Sequence, residues 1–599
     1  MRRKKSRLQF LRNRARAFAF FVEDGRIIFF ISCVVLFGAA ILGRLFVLQV
    51  ARHSEYVELQ ARRDAGLPIP IAPRGRILAR DIKSPDVVYP VAVDQDVFTV
   101  FIDSYLLREE PGGRVNKALV KDPKRVAEIA AKKLEIDEKN VYQKLTVPVR
   151  AYQVLKRQVP LAAVEELKLE NLQGINFERE QFRFYPEGAL FGQVVGFYGF
   201  DADQKPTGKY GVEGYLNHLL SGSNVASISS TEKTPFALPS AALKGFDVAL
   251  TIDRTIQFAA CGAIQKHMEE YKAKSATAVI MEVKTGAILA LCNTPNFDPN
   301  KYKEVTDIGV FNNNAIFTPY EPGSVFKIIT MAAALDTGKV TPETTFTDNG
   351  ILRYGKFTIR NAAEKKYGVQ TMTGVLKESI NTGAVFAAEK VGQEAFKKYV
   401  DNFGFGAQTG IEMDTEVSGN ISALNKKSDL NLATASFGQG FTATPLQLLS
   451  AYAAVANQGT LMKPHVVDYI IKPDGTVEKK QPEVVRQVIS SRAAKLLTAM
   501  MVVVVKDGHG KKAQVPGYYV AGKTGTAQIS DATGGYGAKT NQTFIGFAPA
   551  DNPVFAMLVK YEEPERRFAE YTAVPVFGEI AKFLVNYLQI PPSFKVDKK

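Results

Sequence analysis

Ser324 and Lys327 stand three residues apart at the start of a long apolar run. A Pro-Gly pair precedes them, and residues 328–335 are apolar on nearly every face, which predicts a buried helix that ends near residues 336–338. The spacing places both side chains on one helical face, and the helix start favours a developing negative charge. Burial lowers the pKa of a lysine, so we predict Ser324 as a nucleophile and Lys327 as its base.

A Ser-x-x-Lys pair is weak evidence when it stands alone, because about two chance matches are expected in a chain of this length. The sequence contains a second pair, Ser230 and Lys233, in a polar stretch with prolines and no apolar run after it. Local context therefore favours Ser324, and the remaining motifs must decide between the two serines.

Two further motifs follow Ser324 in order, namely Ser379-Ile380-Asn381 and Lys523-Thr524-Gly525. The first lies in a helical context over 373–390, and Lys523 ends a predicted strand at which an extended substrate could pair. Similar triplets at 418–420 and 284–286 lie in turn-rich stretches, and the second precedes Ser324. The order and context of the motifs favour one acyl-transfer site, which needs a nucleophile, a base and an oxyanion hole.

Each remaining residue of these motifs has an expected role. Ser379 can relay a proton to the departing amine, and Asn381 can hold Lys327 and a substrate amide. Lys523 and Thr524 can bind a substrate carboxylate.

Three backbone features complete the predicted site. Gly525 allows close backbone approach, so that a peptide can add to the strand edge. The N–H groups of Ser324 and Thr526 are the expected oxyanion donors.

The charge distribution indicates where this site lies. The chain has 599 residues and a net charge of +15, and residues 1–26 carry nine Lys or Arg against two acidic residues. A basic arm could bind nucleic acid, but an apolar run over 27–43 that continues over 45–50 predicts a transmembrane anchor instead. The basic flank predicts a cytoplasmic N-terminus and an extracytoplasmic remainder in the cell membrane.

The pattern predicts an α/β (α+β) protein in five segments: a basic tail over 1–26, an anchor over 27–50, an N-terminal α+β domain over 51–243, a catalytic domain over 244–590 and a tail over 591–599. A linker is predicted over 221–244. In the catalytic domain, strands over 248–252, 278–283, 287–291, 518–526, 543–547 and 554–561 flank a helical middle, with helices over 255–271 and 574–588. We expect one sheet, largely antiparallel, with helices on its faces.

The cysteines and charged residues outside the motifs suggest structural roles. Of three cysteines, Cys261 and Cys292 could form a bridge, but two buried free thiols are the favoured interpretation. Five scattered histidines form no metal-ligand pattern. The isolated Arg and Glu residues of the N-terminal domain are expected to form structural ion pairs.

With these motifs the chain resembles the class B penicillin-binding proteins, monofunctional D,D-transpeptidases that cross-link peptidoglycan. Arg74-Gly75-Arg76-Ile77 resembles a first N-terminal motif, although Ala79-Arg80 stands where the family usually has Asp-Arg. Residues 183–188, 211–214, 437–440 and 444–447 resemble later motifs. The resemblance implies a penicillin-recognising transpeptidase fold on an elongated pedestal, with no metal or cofactor and with stem peptides of lipid-linked or nascent glycan strands and β-lactams as ligands.

The resemblance also implies partners and leaves alternatives open. The residues around Ser324 and Lys523 look more like the division branch than the elongation branch, which implies a polytopic glycosyltransferase and other division-site membrane proteins as partners. A β-lactam sensor or inactive scaffold, and a carboxypeptidase or β-lactamase, are the competing interpretations.

The assignment of the nucleophile predicts a specific loss of labelling. Ser324→Ala should abolish covalent labelling by fluorescent penicillin, because it removes the predicted nucleophile. Ser230→Ala, the matched control, should label like the unaltered protein. Mass spectrometry of the labelled chain checks this, and a penicilloyl group on Ser230 would contradict the assignment.

Overall fold

The computed structural model describes residues 73–84, 87–103, 120, 122–146, 152–222, 244–530 and 535–595, together with helical residues 30, 35–39, 41–43, 45 and 46. The predicted basic tail, most of the predicted anchor and most of the predicted linker lie outside the described residues. Within these ranges, no helix is both long and apolar enough to span a bilayer. The anchor therefore stays a prediction.

The described residues form two compact units, one built from 98–180 and one from 73–97 with 181–595. The first unit packs helices α1, α2 and α3 around a small apolar core that includes Val100, Val141 and Val164. Its helices are α1 (Pro123–Leu134), α2 (Glu138–Thr146) and α3 (Leu161–Leu169). Its strands are β3 (Tyr152–Pro160) and parts of β2 (Val88–Asp103) and β4 (Ile175–Phe184).

The second unit contains the remaining strands and helices. In chain order, the strands are β1 (Ile77–Arg80), β5 (Phe197–Phe200), β6 (Pro206–Lys209), β7 (Asp247–Asp253), β8 (Ser275–Glu282), β9 (Ile288–Thr294), β10 (Thr345–Asp348), β11 (Ile351–Tyr354), β12 (Phe357–Arg360), β13 (Gly368–Thr371), β14 (Thr460–Met462), β15 (Val467–Ile471), β16 (Val477–Lys479), β17 (Val484–Gln487), β18 (Ala521–Ser530), β19 (Tyr536–Ala548) and β20 (Phe555–Glu562). The helices are α4 (Gly192–Val195), α5 (Gly211–Tyr215), α6 (Asn217–Leu220), α7 (Arg254–Tyr271), α8 (Asn314–Phe317), α9 (Lys327–Asp336), α10 (Met372–Lys377), α11 (Asn381–Val391), α12 (Gln393–Asn402), α13 (Asp429–Ser436), α14 (Pro445–Ala456), α15 (Ser491–Asp507) and α16 (Ala573–Tyr587).

A five-stranded antiparallel sheet in the order β18-β19-β20-β8-β9 organises the second unit. Its inner strands are buried on both faces, because α7 and α16 cover one face while α14 and α15 pack on the other side. The predicted strands, the 284–286 hairpin turn and both flanking helices are confirmed. The expectation of one sheet was wrong for β7, which pairs with β1 and β15 in a second sheet. The strand β18 is an edge strand, so its outer side can accept an extended chain.

Two local predictions about the motifs were wrong. Lys523 does not end a strand but is the third residue of β18, which runs on to Ser530. The predicted helix over 373–390 is two helices, α10 and α11, separated at Ser379, whose φ is +57°. A left-handed residue ends α10, so that the chain turns before α11 begins.

The favoured interpretation of the cysteines was also wrong, because Cys261 and Cys292 form a disulfide with their Cα atoms 5.2 Å apart. The side chain of Gln257 fixes α7 on the edge strand β9: its Nε2 donates to the Leu291 carbonyl at 2.9 Å, and its Oε1 accepts from the Leu291 N–H at 2.8 Å. Cys261 lies one helical turn after Gln257, and Cys292 follows Leu291, so this docking aligns the two sulfurs.

A buried ion cluster confirms the predicted structural role of the Arg and Glu residues. Glu213 is fully buried and receives the guanidinium of Arg74 at 2.5 Å and that of Arg183 at 2.8 Å, while Arg183 also meets Asp94 at 3.0 Å. Burial alone would raise the pKa of Glu213, but the two guanidinium charges outweigh it and leave the pKa below its usual value. The cluster ties residues 74 and 94 to residues 183–213 within this unit.

Loss of the Glu213 charge should therefore destabilise this unit strongly. Glu213→Gln leaves two guanidinium groups buried beside Asp94 alone, and we expect a loss of about 3–5 kcal/mol in the free energy of unfolding. Glu478→Gln, which breaks an exposed pair between Glu478 of β16 and Lys472 of the preceding turn, should cost less than about 1 kcal/mol. Urea unfolding at neutral pH measures both. Equal losses in the two variants would contradict a stabilising ion cluster.

Candidate active site

The predicted nucleophile lies in a single turn of 3-10 helix, Gly323–Phe326, which leads directly into α9. Gly323 has a φ of +61° and donates its N–H to the Gly438 carbonyl at 2.9 Å. From the buried helix α14, the Tyr452 hydroxyl donates to the Val325 carbonyl at 2.6 Å. These contacts fix the backbone on both sides of Ser324.

The contacts of this turn explain why the 437–440 motif contains glycines. Gly438 has a φ of +84°, and a Cβ at this position would lie 2.2 Å from the Gly323 carbonyl oxygen. The next glycine, Gly440, donates its N–H to the Glu321 carboxylate at 3.0 Å. The motif therefore needs glycines because its backbone lies directly against the nucleophile turn.

The amine of Lys327 is the centre of the hydrogen-bond network. Its Nζ lies 3.1 Å from Ser324 Oγ, 2.6 Å from the Ser379 carbonyl oxygen and 2.7 Å from Asn381 Oδ1. Burial, together with the nearby charge of Lys523, holds the pKa of Lys327 well below its usual value. The two carbonyl oxygens can only accept, so they take the two N–H bonds of a neutral amine. Its lone pair is then left for a hydroxyl proton, as a general base requires.

The hydroxyl of Ser379 connects the two lysines. Its Oγ lies 3.2 Å from Lys327 Nζ and 3.0 Å from Lys523 Nζ. Lys523 also contacts the carbonyl and hydroxyl oxygens of Thr524, at 3.0 and 3.3 Å. Lys523 is fully buried, and this burial lowers its pKa to about 7. The structure thus brings Ser324, Lys327, Ser379 and Lys523 into one chain of polar contacts.

Asn381 is fixed from two sides. Its Oδ1 accepts from Lys327, and its Nδ2 donates to the Arg360 carbonyl at 2.8 Å. The expected contact with Lys327 is therefore present. One amide hydrogen is used by Arg360, and the second is available for the predicted substrate amide.

The sequence did not identify the residues that support this loop. Buried Asp348 accepts the Thr382 hydroxyl at 2.6 Å, the Asn361 amide at 2.9 Å and two backbone N–H groups. Asn361 Oδ1 in turn accepts the Thr382 N–H at 3.2 Å. The first turn of α11, which carries Asn381, is therefore held in place by the Asp348 carboxylate, which accepts four hydrogen bonds. Asp348 is the last residue of the short strand β10, and nothing in the local sequence indicates that its side chain is buried.

The β18 edge supplies the remaining predicted residues. A Cβ on Gly525 would lie 3.0 Å from Val325 Cγ1, so this glycine lets β18 approach the nucleophile turn. The expected reason for Gly525 was the approach of substrate, whereas the contact found is within the protein. The Thr526 hydroxyl accepts the Ala569 N–H at 3.3 Å, which leaves its own proton to donate. The oxyanion roles of the Ser324 and Thr526 N–H groups stay predictions.

The chain matches two protein-family models. Residues 276–582 match the family model for the penicillin binding protein transpeptidase domain, and residues 70–234 match that for the penicillin-binding protein dimerisation domain. The chain belongs to the penicillin-binding proteins of this two-domain class. In the described ranges, no group of three His, Cys, Asp or Glu side chains is placed to hold a metal ion.

Particular relatives cover most of the chain. Stage V sporulation protein D of Bacillus subtilis is 33% identical over 80% of this chain and 76% of its own length. Penicillin-binding protein PbpB of Mycobacterium tuberculosis is 31% identical over 81% and 71%. The crystal structure of a penicillin binding protein 3 from the same organism, complexed with aztreonam, is 32% identical and covers 70% of this chain and 92% of that chain, with a TM-score of 0.62.

The low pKa of Lys523 predicts a pH dependence for acylation. The second-order rate constant for a β-lactam that carries a carboxylate should fall as the pH rises through about 7, because Lys523 then loses the charge that attracts the carboxylate. At low pH the rate should also fall, because Lys327 becomes protonated.

Stopped-flow acylation over a pH series checks this, with the methyl ester of the same β-lactam as the control. The ester should lack the fall near pH 7. A rate that holds steady up to pH 9 for the free carboxylate would contradict the role of Lys523.

Proposed function

We propose that this chain is a peptidoglycan D,D-transpeptidase that works through an acyl-Ser324 intermediate and is a target of β-lactams. The observation that carries the proposal is the buried Lys327 amine, 3.1 Å from Ser324 Oγ and bound to two carbonyl oxygens. Relatives support it, since a protein of Buchnera aphidicola named peptidoglycan D,D-transpeptidase FtsI is 28% identical over 95% of this chain.

The acylation step follows from the contacts. The Ser324 hydroxyl gives its proton to Lys327 and forms a bond to the carbonyl carbon of the penultimate D-alanine of a stem peptide. The oxyanion faces the N–H groups of Ser324 and Thr526. Ser379, which contacts both lysines, relays the proton held by Lys327 to the departing amine as the C–N bond breaks. Lys327 is then neutral again, and the terminal D-alanine leaves. Before it leaves, the carboxylate of the terminal D-alanine is held by Lys523 and Thr524, with Thr526 beside them.

The second step favours an amine acceptor over water. The amine of a second stem peptide attacks the acyl ester, and Lys327 accepts its proton as Ser324 is released. Hydrolysis would need another base to activate a water, such as a carboxylate at the ester. Among the described residues, the polar contacts of Lys327, Ser379 and Lys523 include no carboxylate, and Glu378 pairs with Lys377 at 3.1 Å.

The acyl-enzyme formed with a β-lactam should therefore persist for many minutes to hours, because the tethered leaving group also blocks the acceptor. Deacylation of the purified, labelled protein measures this lifetime. Turnover on the order of once per second or faster, as in ordinary enzymes, would instead support a hydrolase. Absence of any acylation would support the inactive scaffold.

The location and partners are part of the proposal. The basic tail over 1–26 and the apolar run over 27–50 support a single-pass protein of the cell membrane with its catalytic domain outside. Protease added to spheroplasts should then digest the large domain. A polytopic glycosyltransferase and other division-site membrane proteins are the proposed partners.

The proposed biological role is septal wall synthesis. It is supported by the residues around Ser324 and Lys523 and by the relatives named FtsI. Depletion of the protein should produce filaments, because septal cross-linking fails while elongation continues. Microscopy of depleted cells checks this, and round cells would point to an elongation role.

A further inference from the structure

The β11–β12 hairpin lies beside the active site and carries an excess of positive charge. Residues 350–366 contain five Lys or Arg residues and a single acidic residue, Glu364, and all six side chains are exposed. The five positively charged residues are Arg353, Lys356, Arg360, Lys365 and Lys366. The carbonyl of Arg360 accepts from Asn381, so this hairpin borders the catalytic Asn381 directly.

The hairpin has one inward and one outward face. Ile359 is buried against Ala384 and Val385 of α11, and Leu352 and Tyr354 pack on the same small core. In the antiparallel register, Arg353 pairs with Thr358 and Ile351 pairs with Arg360. Because side chains alternate along a strand, both arginines occupy the face opposite Leu352 and Ile359.

These two arginines are weakly neutralised. Arg360 contacts Glu364 at 3.6 Å in a pair whose side chains are 52% and 73% exposed, and solvent screens such a pair. Among the described residues, Arg353 forms no ion pair. The outward face thus presents two exposed guanidinium groups on a hairpin packed against the helix that carries Asn381.

We propose that this face binds a carboxylate of the donor peptidoglycan strand, on the part of the stem peptide that precedes the scissile bond. The inference rests on the proposed function. In this proposal the donor has its terminal carboxylate at Lys523 and its scissile carbonyl at Ser324, and its preceding residues pass Asn381, which has one amide hydrogen available for a substrate amide. Its earlier residues then reach the Arg353 and Arg360 side chains, and a guanidinium fork matches a carboxylate.

Binding of un-cross-linked glycan strands to the Ser324→Ala protein tests the inference without any need for catalysis. The stem peptides should carry either a free carboxylate or an amide on the second residue. In the Ser324→Ala background, Arg353→Gln/Arg360→Gln should weaken binding of the free-carboxylate strands about tenfold, as expected for a pair of charge-assisted contacts. It should leave binding of the amidated strands within about twofold, and only the former binding should weaken steeply with salt.

Two controls make the outcome decisive. Lys472→Gln/Lys479→Gln removes two positive charges from the β15–β16 hairpin and should change neither binding constant. Equal losses on free and amidated strands, or no loss on either, would overturn the inference and leave the charges as a solvated hairpin surface. If binding behaves as expected but the unaltered protein cross-links no strand, the proposed function fails and the carboxylate site stands.

Discussion

The neutral amine of Lys327 is the interaction on which the rest of the site depends. A lysine can act as a base at neutral pH only if its pKa is lowered. Burial in the second unit lowers the pKa of Lys327. Burial alone would leave the amine free to turn. The Ser379 carbonyl and the Asn381 amide oxygen take its two N–H bonds and so direct the lone pair towards hydroxyl groups. The hydrogen-bond acceptors therefore determine the direction in which the base acts.

The surrounding fold can be understood as the support for this geometry. The carbonyl of Ser379 faces Lys327 only because α10 ends at a left-handed residue, and α11 then starts with Asn381. Asp348 saturates the first turn of α11, and Tyr452 and Gly438 fix the turn that carries Ser324. Each support comes from a different part of the chain, so the site forms only when the whole second unit is folded.

This distribution explains what the sequence could and could not predict. The Ser324 and Lys327 pair is local, since helical spacing alone brings the two side chains together, and the 518–526 strand was evident from its apolar pattern. The break at Ser379 was missed because residues 372–391 are compatible with one continuous helix. Contacts with two lysines from distant segments decide the conformation there. The disulfide depended in the same way on how Gln257 docks α7 against β9.

The two buried lysines, Lys327 and Lys523, influence each other electrostatically. Burial lowers the pKa of Lys327, and the nearby charge of Lys523 lowers it further. In the proposed function, a substrate carboxylate bound at Lys523 would offset that charge and raise the pKa of Lys327, because the repulsion between the two lysines would be reduced. The base thus becomes stronger when a correctly placed donor is bound, which is when Ser324 must lose its proton. Ser379, in contact with both amines, lies where the proton can pass to the leaving group. The proposed function therefore couples recognition of the carboxylate to activation of the nucleophile through one short chain of polar contacts.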